Sequence, residues 1–198
     1  MTLPLSLDPK TTALLVMDFQ TSIVEGALHA GAAERDALLS RTAALLEGAR
    51  KVAMKVVYVV VGFRPGYPEV SPRNKSFAPI RESGRFVEGS TGSEVHAKVA
   101  PRPGEVVVTK HRVGAFAGTD LEMVLRAGGV DTLVISGIST SGVVLSTIRH
   151  AADADYRLVV VGDCCADPDP EVHRVLVEKV YARQTTVTTA AEVIEALG

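Results

Sequence analysis

The sequence has little of what marks a secreted, membrane-spanning or nucleic-acid-binding chain. Its 198 residues include only two cysteines, and these are neighbours, Cys164 and Cys165. Adjacent residues rarely bridge each other and no third cysteine is present, so no disulfide framework is expected and a reducing, cytoplasmic compartment is. No Cys/His cluster has zinc spacing, so no metal is expected. No apolar run reaches the roughly 18–20 residues that span a bilayer, so no membrane partner is expected. The opening stretch MTLPLSLDPK lacks a basic segment followed by an apolar one and does not read as a signal peptide. Charge of one sign never accumulates: 21 Lys and Arg face 23 Asp and Glu, for a net charge of −2. With neither a basic stripe nor a like-charge tail, nucleic acid is not an expected partner. Repeats, linkers and low-complexity segments are lacking as well.

What is present is a hydrophobic fraction of 46%, enough for one domain over residues 1–198 with a proper core. Apolar runs of strand length recur at Thr12–Phe19, Lys55–Val61, Glu105–Thr109, Val130–Ser136, Tyr156–Val161 and Thr185–Val187. They do not alternate with polar residues, which is the pattern of parallel strands covered on both faces. Between them lie helical patterns: Glu34–Ala53 with one apolar face, Leu121–Ala127 closed by Gly128-Gly129, a helix from about Ser141, Pro170–Ala182, and Ala190–Leu197. Alternating strands and helices predict an α/β fold, a doubly wound three-layer α-β-α sandwich around a mainly parallel sheet of about six strands.

One stretch breaks the alternation. Gly62–Ser93 carries four prolines and the arginines Arg64, Arg73, Arg81 and Arg85. Connections of this length inside compact domains are often lids or binding loops. Arg64 directly follows a strand and is the arginine best placed to read a substrate carboxylate by paired hydrogen bonds.

Three features sit just after strands and so share one edge of the sheet: Asp18, Lys110, and the small-residue turn Gly137–Val143 that opens a helix. Beyond the carboxyl ends of parallel strands is where α/β folds hold their ligands. An acid beside an ammonium can move a proton, and backbone N–H groups at a helix start can hold an anion or oxyanion. His111 is a candidate extra base. A nucleophile is missing, because the turn carries Val143.

Read together, LLVMDFQ at 14–20, VVVTKHRVGAFAGTDLEMVL at 106–125 and VISGISTSGVVLSTIRHAADADYRLVVVGDCCAD at 134–167 resemble the isochorismatase-like hydrolase superfamily. That group includes isochorismatases, nicotinamidases and N-carbamoylsarcosine amidases. The resemblance puts the family's catalytic aspartate at Asp18 and its catalytic lysine at Lys110. It puts the non-proline cis peptide that shapes the oxyanion pocket at Ile138–Ser139, with Val143 completing that pocket. It also puts the amidase cysteine at Val143, where an alkyl side chain cannot form an acyl-enzyme. Isochorismatases have glycine there and cleave a vinyl ether by acid catalysis from the aspartate. The Asp/His metal cluster of nicotinamidases has no counterpart in VVVGFRPGYPEV. With Arg64, Phe19 beside the acid and Phe116 after the lysine are expected to bind substrate. The resemblance therefore implies a hydrolase of small molecules that uses no cofactor and no covalent intermediate and forms a homodimer or homotetramer. The alternative is an inactive relative that binds a metabolite or a protein. Cys164 and Cys165, at the same edge, are the only thiols that could stand in for the nucleophile.

Overall fold

The structure, a computed structural model, describes residues 5–28 and 30–198, with the backbone alone described at residue 27. Residues 1–4, part of the stretch read above for a targeting signal, lie outside the described residues. In chain order the elements are β1 (Thr12–Met17), α1 (Ala32–Lys51), β2 (Lys55–Val61), α2 (Ala78–Ser83), β3 (Val106–Lys110), α3 (Leu121–Ala127), β4 (Thr132–Ile138), α4 (Leu145–Asp153), β5 (Arg157–Ala166), α5 (Pro170–Val175), β6 (Thr186–Thr188) and α6 (Ala190–Ala196). Every strand pairing is parallel, and the order across the sheet is β3-β2-β1-β4-β5-β6.

That order explains the unbroken apolar runs. All six residues of β1 are buried. Leu14 and Val16 point into the core shared with Leu38, Leu45 and Leu46 of α1 and Val193 of α6. Ala13, Leu15 and Met17 point into the other, shared with Leu121 and Leu125 of α3 and Ile148 of α4. A strand covered on both faces has no polar face to show. Among the described residues no helix is long and apolar enough to cross a membrane.

The chain runs outward from β1 to β2 and β3, then returns to place β4 on the other side of β1. The reversal between β1 and β4 is a topological switch point, where the connections leave in opposite directions and open a crevice at the carboxyl edge. Met17 is in register with Gly137, so the last residues of β1 and the end of β4 lie side by side there.

Several boundaries differ from the sequence reading. β5 does not stop at Val161 but continues to Ala166, past a register shift opposite β4 between Ile135 and Gly137. Cys164 and Cys165 therefore alternate within a strand rather than lining a loop. The helix predicted over Pro170–Ala182 is α-helical only to Val175, continues as a wider π turn over Leu176–Val180, and ends in a tight 3-10 turn over Tyr181–Arg183. The segment after β2 includes the short helix α2, opened by the turn in which Asn74 Oδ1 accepts from the Ser76 and Phe77 N–H groups.

Candidate active site

Asp18 is the first residue past β1. Its N–H still donates to the Val59 carbonyl at 2.8 Å, but its backbone turns to a φ of 58°, a left-handed conformation that aspartate tolerates better than most residues. The ladder ends at this point and the carboxyl group lies at the rim. Lys110 is the last residue of β3, in register with Val61 of β2. The lysine therefore spans one intervening strand to reach the acid. Its Nζ lies 3.0 Å from Asp18 Oδ2 and donates to the Arg112 carbonyl at 3.2 Å. Both side chains are almost fully enclosed, at 3% exposure for Lys110 and 8% for Asp18. Asp18 Oδ1 is buried with no hydrogen-bond partner.

Burial pushes the Asp18 carboxyl above its ordinary value, while the charge and hydrogen bond of Lys110 oppose the rise. Desolvation outweighs these and a weaker contribution from the Val61 backbone because the carboxyl is almost fully enclosed. Such a carboxyl holds a proton into the range where an ordinary aspartate has lost it. Once ionised, it still has an ammonium within reach.

The peptide joining Ile138 to Ser139 is cis, and from Ser139 the chain enters a π-type turn, Thr140–Val144, before α4 begins. The turn is tied down by its own side chains and by distant ones. Ser139 Oγ accepts from the Gly142 N–H at 3.1 Å, and Asp167 Oδ2 accepts from the Ser141 N–H at 2.7 Å. Tyr181 donates its hydroxyl to the Thr140 carbonyl at 2.5 Å, and Thr140 Oγ1 lies 2.8 Å from His173 Nδ1. The N–H groups of Ser141 and Gly142 are thus engaged within the protein. This narrows the expectation of a backbone anion clamp over Ser139–Val143, since Asp167 supplies a resident carboxylate at the helix start. Asp167 and His173 were not singled out as site residues in the sequence, although Asp167 closes the third quoted motif and follows β5 directly. Gln20, in the first motif, was also missed. Its buried amide donates to the Val61 and Ser93 carbonyls and accepts from the Val61 N–H, which locks the ends of β1 and β2 together.

Above these groups is a cavity of about 220 Å³. Asp18, Lys110, Ile138, Ser139 and Val143 line it, so the structure brings together the acid, the lysine, the cis peptide and the valine. Val143 is 2% exposed and also packs in the core against α3 and α4. The long 62–93 segment closes the cavity with Ser76, Phe77, Ile80 and Phe86. Phe63 organises that segment: its ring packs edge-on to Phe77 at 5.6 Å, and its backbone bonds Phe86 and Glu88.

Three expected substrate contacts are not among the cavity residues. Arg64 projects to solvent, with its side chain 66% exposed, and pairs with Glu69 at 2.8 Å, so it does not read a ligand in the cavity. Phe19 is turned into the core beneath α1, and Phe116 stacks on His150 on the other side of the sheet with ring centroids 4.4 Å apart. His111 is also elsewhere, its Nδ1 2.6 Å from the Gly62 carbonyl. Cys164 and Cys165 are buried on opposite faces of the sheet, and neither lines the cavity. Burial pushes the Cys164 thiol up to about 12 and the Cys165 thiol higher still, so neither is a thiolate near neutrality. Among the described residues, no group of three His, Cys, Asp or Glu side chains is arranged to hold a metal ion.

Comparison with known proteins identifies the family. The isochorismatase domain family model matches residues 12–192. The chain is 33% identical over 193 residues to the uncharacterized isochorismatase family protein YecD of Escherichia coli O157:H7, covering 98% of this chain and 100% of that one. It is 31% identical over 213 residues to the ureidoacrylate amidohydrolase RutB of Methylobacterium radiotolerans, covering 98% of this chain and 83% of that one. The solved structure of an isochorismatase family protein from Burkholderia thailandensis superposes with a TM-score of 0.85 at 29% identity, covering 99% of each chain. The chain belongs to the isochorismatase family.

Proposed function

We propose that this protein hydrolyses a small molecule by acid–base catalysis, without a covalent intermediate, using Asp18 as the acid and Lys110 as its electrostatic partner. The observation that carries this reading is the enclosed pair, Oδ2 to Nζ at 3.0 Å, both of whose residues line the cavity. A proton held on Asp18 by burial is available to a substrate atom that hydrogen-bonds the carboxyl. As it leaves, the new carboxylate is stabilised by the ammonium already in contact. Water adds to the activated substrate, the bond to the leaving group breaks, and the proton released by that water returns to Asp18. The net reaction is substrate plus water giving two products, with the acid restored.

Val143 supports the absence of covalent catalysis, because the resemblance puts the amidase cysteine at that position and a hydrocarbon cannot attack a carbonyl. The two cysteines, enclosed on either side of the sheet with raised pKa values, offer no substitute. A hydrolysis screen over vinyl ethers, amides, ureas and carbamates tests the reading, with Asp18→Asn and the double variant Cys164→Ala/Cys165→Ala as controls. Turnover that survives loss of both thiols and disappears in Asp18→Asn is the expected result. Turnover retained by Asp18→Asn refutes the acid role, and turnover abolished in a folded thiol-free variant refutes thiol-free chemistry. Failure of every bond class would favour the inactive, ligand-binding alternative.

A further inference from the structure

The 62–93 segment faces the cavity with a mainly apolar surface and no charge. Its arginines were the sequence's obvious ligand readers, yet none of the four lines the cavity. The segment instead contributes Phe77, Ile80 and Phe86, with the exposed Ser76, to a cavity that Asp18 and Lys110 also line. Val61, Val113 and Val143 extend the apolar surface between them. Lys110 is the one cation among the lining residues, and its ammonium is already bonded to Asp18 and the Arg112 carbonyl. The turn that might have gripped an anion has spent two of its N–H groups on Asp167 and Ser139. The volume is small as well. About 220 Å³ falls below the roughly 300–1,000 Å³ of sites for drug-sized ligands.

We propose that the substrate carries a single polar, hydrolysable head, held at Asp18 and Lys110, and a compact hydrocarbon body, aryl or branched alkyl, seated on Phe77, Ile80 and Phe86, with no second charged group. This rests on the acid–base reading of the same site and adds the class of molecule it accepts. A carboxylate on the body would lose its water against three hydrocarbon side chains and gain no cation in return, only the hydroxyls of Ser76 and Ser139 being present besides the Asp18–Lys110 pair, whereas an aryl group there exchanges water for apolar contact.

The test is a binding measurement that needs no turnover. Benzamide and succinamate share an amide head and differ in the body, one aryl and one a short chain ending in a carboxylate. Each is titrated into the full-length protein and followed by calorimetry and by the methyl resonances of Ile138 and Val143. Benzamide is expected to bind at least tenfold more tightly than succinamate and to shift both residues. Equal or tighter binding of succinamate, or benzamide binding that leaves both methyl sets unmoved, overturns the proposal. Ile80→Arg, on the half-buried face of α2, supplies the missing cation and is expected to raise succinamate affinity at least tenfold. Ser76→Arg at the exposed rim makes the same test where the first variant is poorly folded. Succinamate affinity unchanged in a folded variant counts against the assigned seat of the body. Preferential benzamide binding with no hydrolysis of any bond class would leave this inference standing while the acid–base reading failed.

Discussion

Replacing Lys110 by methionine isolates the Asp18 carboxyl, because methionine keeps much of the stem and removes the ammonium. The acid is then left with no cation in a place where burial already raises its pKa above 3.8. Ionising it there costs far more than keeping it protonated. In the folded variant Asp18 therefore stays neutral at pH values where the unfolded chain, titrating near 3.8, has released the proton. The folded state binds a proton that the unfolded state gives up. Its stability is complete below the unfolded value and falls as pH rises, by about 1.36 kcal/mol per pH unit, until the folded pKa is reached. Each pH unit above the unfolded value over which the carboxyl stays protonated removes about 1.36 kcal/mol. For a chain of this length that is about 3–5 °C in Tm per pH unit.

Other groups titrate over the same range, so the reference is the double variant Lys110→Met/Asp18→Asn, which differs only in having no proton to take up at that position. Urea unfolding of both proteins at two pH values is the assay. The single variant is expected to lose more stability than the double as pH rises from about 5 to about 7. Parallel losses would mean that the carboxyl ionises freely inside the fold, and the account of a proton-holding Asp18 would be refuted.

Three further outcomes are expected. In Gly137→Ala the new Cβ would meet the Met17 carbonyl oxygen at 3.0 Å and Val144 Cγ2 at 3.1 Å; overpacking of that kind costs about 1–3 kcal/mol in a urea melt, and an unchanged midpoint would show that β1 and the turn do not meet so tightly. Burial lowers the His173 ring below its ordinary 6.5, so the stability that depends on the neutral ring is present above that value and is lost as pH falls below it. His173→Asn should flatten the acid side of the Tm–pH curve, and an identical curve would show that the ring does not titrate with unfolding. Neither cysteine should react with a thiol reagent in the native protein over minutes, since both are enclosed and Cys164 is pushed up to about 12, while both should react in urea. A fast native thiol would reopen thiol chemistry at this site.

The parallel sheet was legible because burial on two faces leaves a signature in composition: Thr12–Met17 and Thr132–Ile138 are apolar or small throughout, and both are buried throughout. The shared edge was legible because Asp18 and Lys110 each follow such a run. What failed was the assignment of side chains just past a strand end. Period-2 reasoning has no hold beyond Asp18, where a φ of 58° breaks the alternation, and Phe19 enters the core beneath α1 instead of facing a ligand. Arg64 found a carboxylate five residues away in Glu69, a local choice that no spacing rule ranks against a substrate. In the 62–93 segment the informative residues were Phe77, Ile80 and Phe86, an apolar set interleaved with the arginines. A segment with a solvated face and a buried one reads as both at once until its direction is known.

The acid and the lysine are drawn together by strand order rather than by any distance along the chain. β1 and β3 flank β2, so their ends are about 9.5 Å apart, twice the ~4.8 Å strand spacing. A short acid on one strand can meet a cation on the other only if the cation has a long stem, and that stem must cross the end of β2, where the sequence has Val61. The turn after β4 approaches the same point from the opposite side of β1, in register at Met17 and Gly137. Proton transfer and nucleophilic attack would therefore depend on separate elements, the first on β1 and β3 and the second on the Thr140–Val144 turn. A hydrocarbon at Val143 removes attack by the protein without moving either member of the ion pair. It also adds apolar surface to a cavity whose far wall is already Phe77, Ile80 and Phe86. On the proposed reading, the same side chain would leave acid catalysis as the chemistry and favour a substrate with a hydrocarbon body.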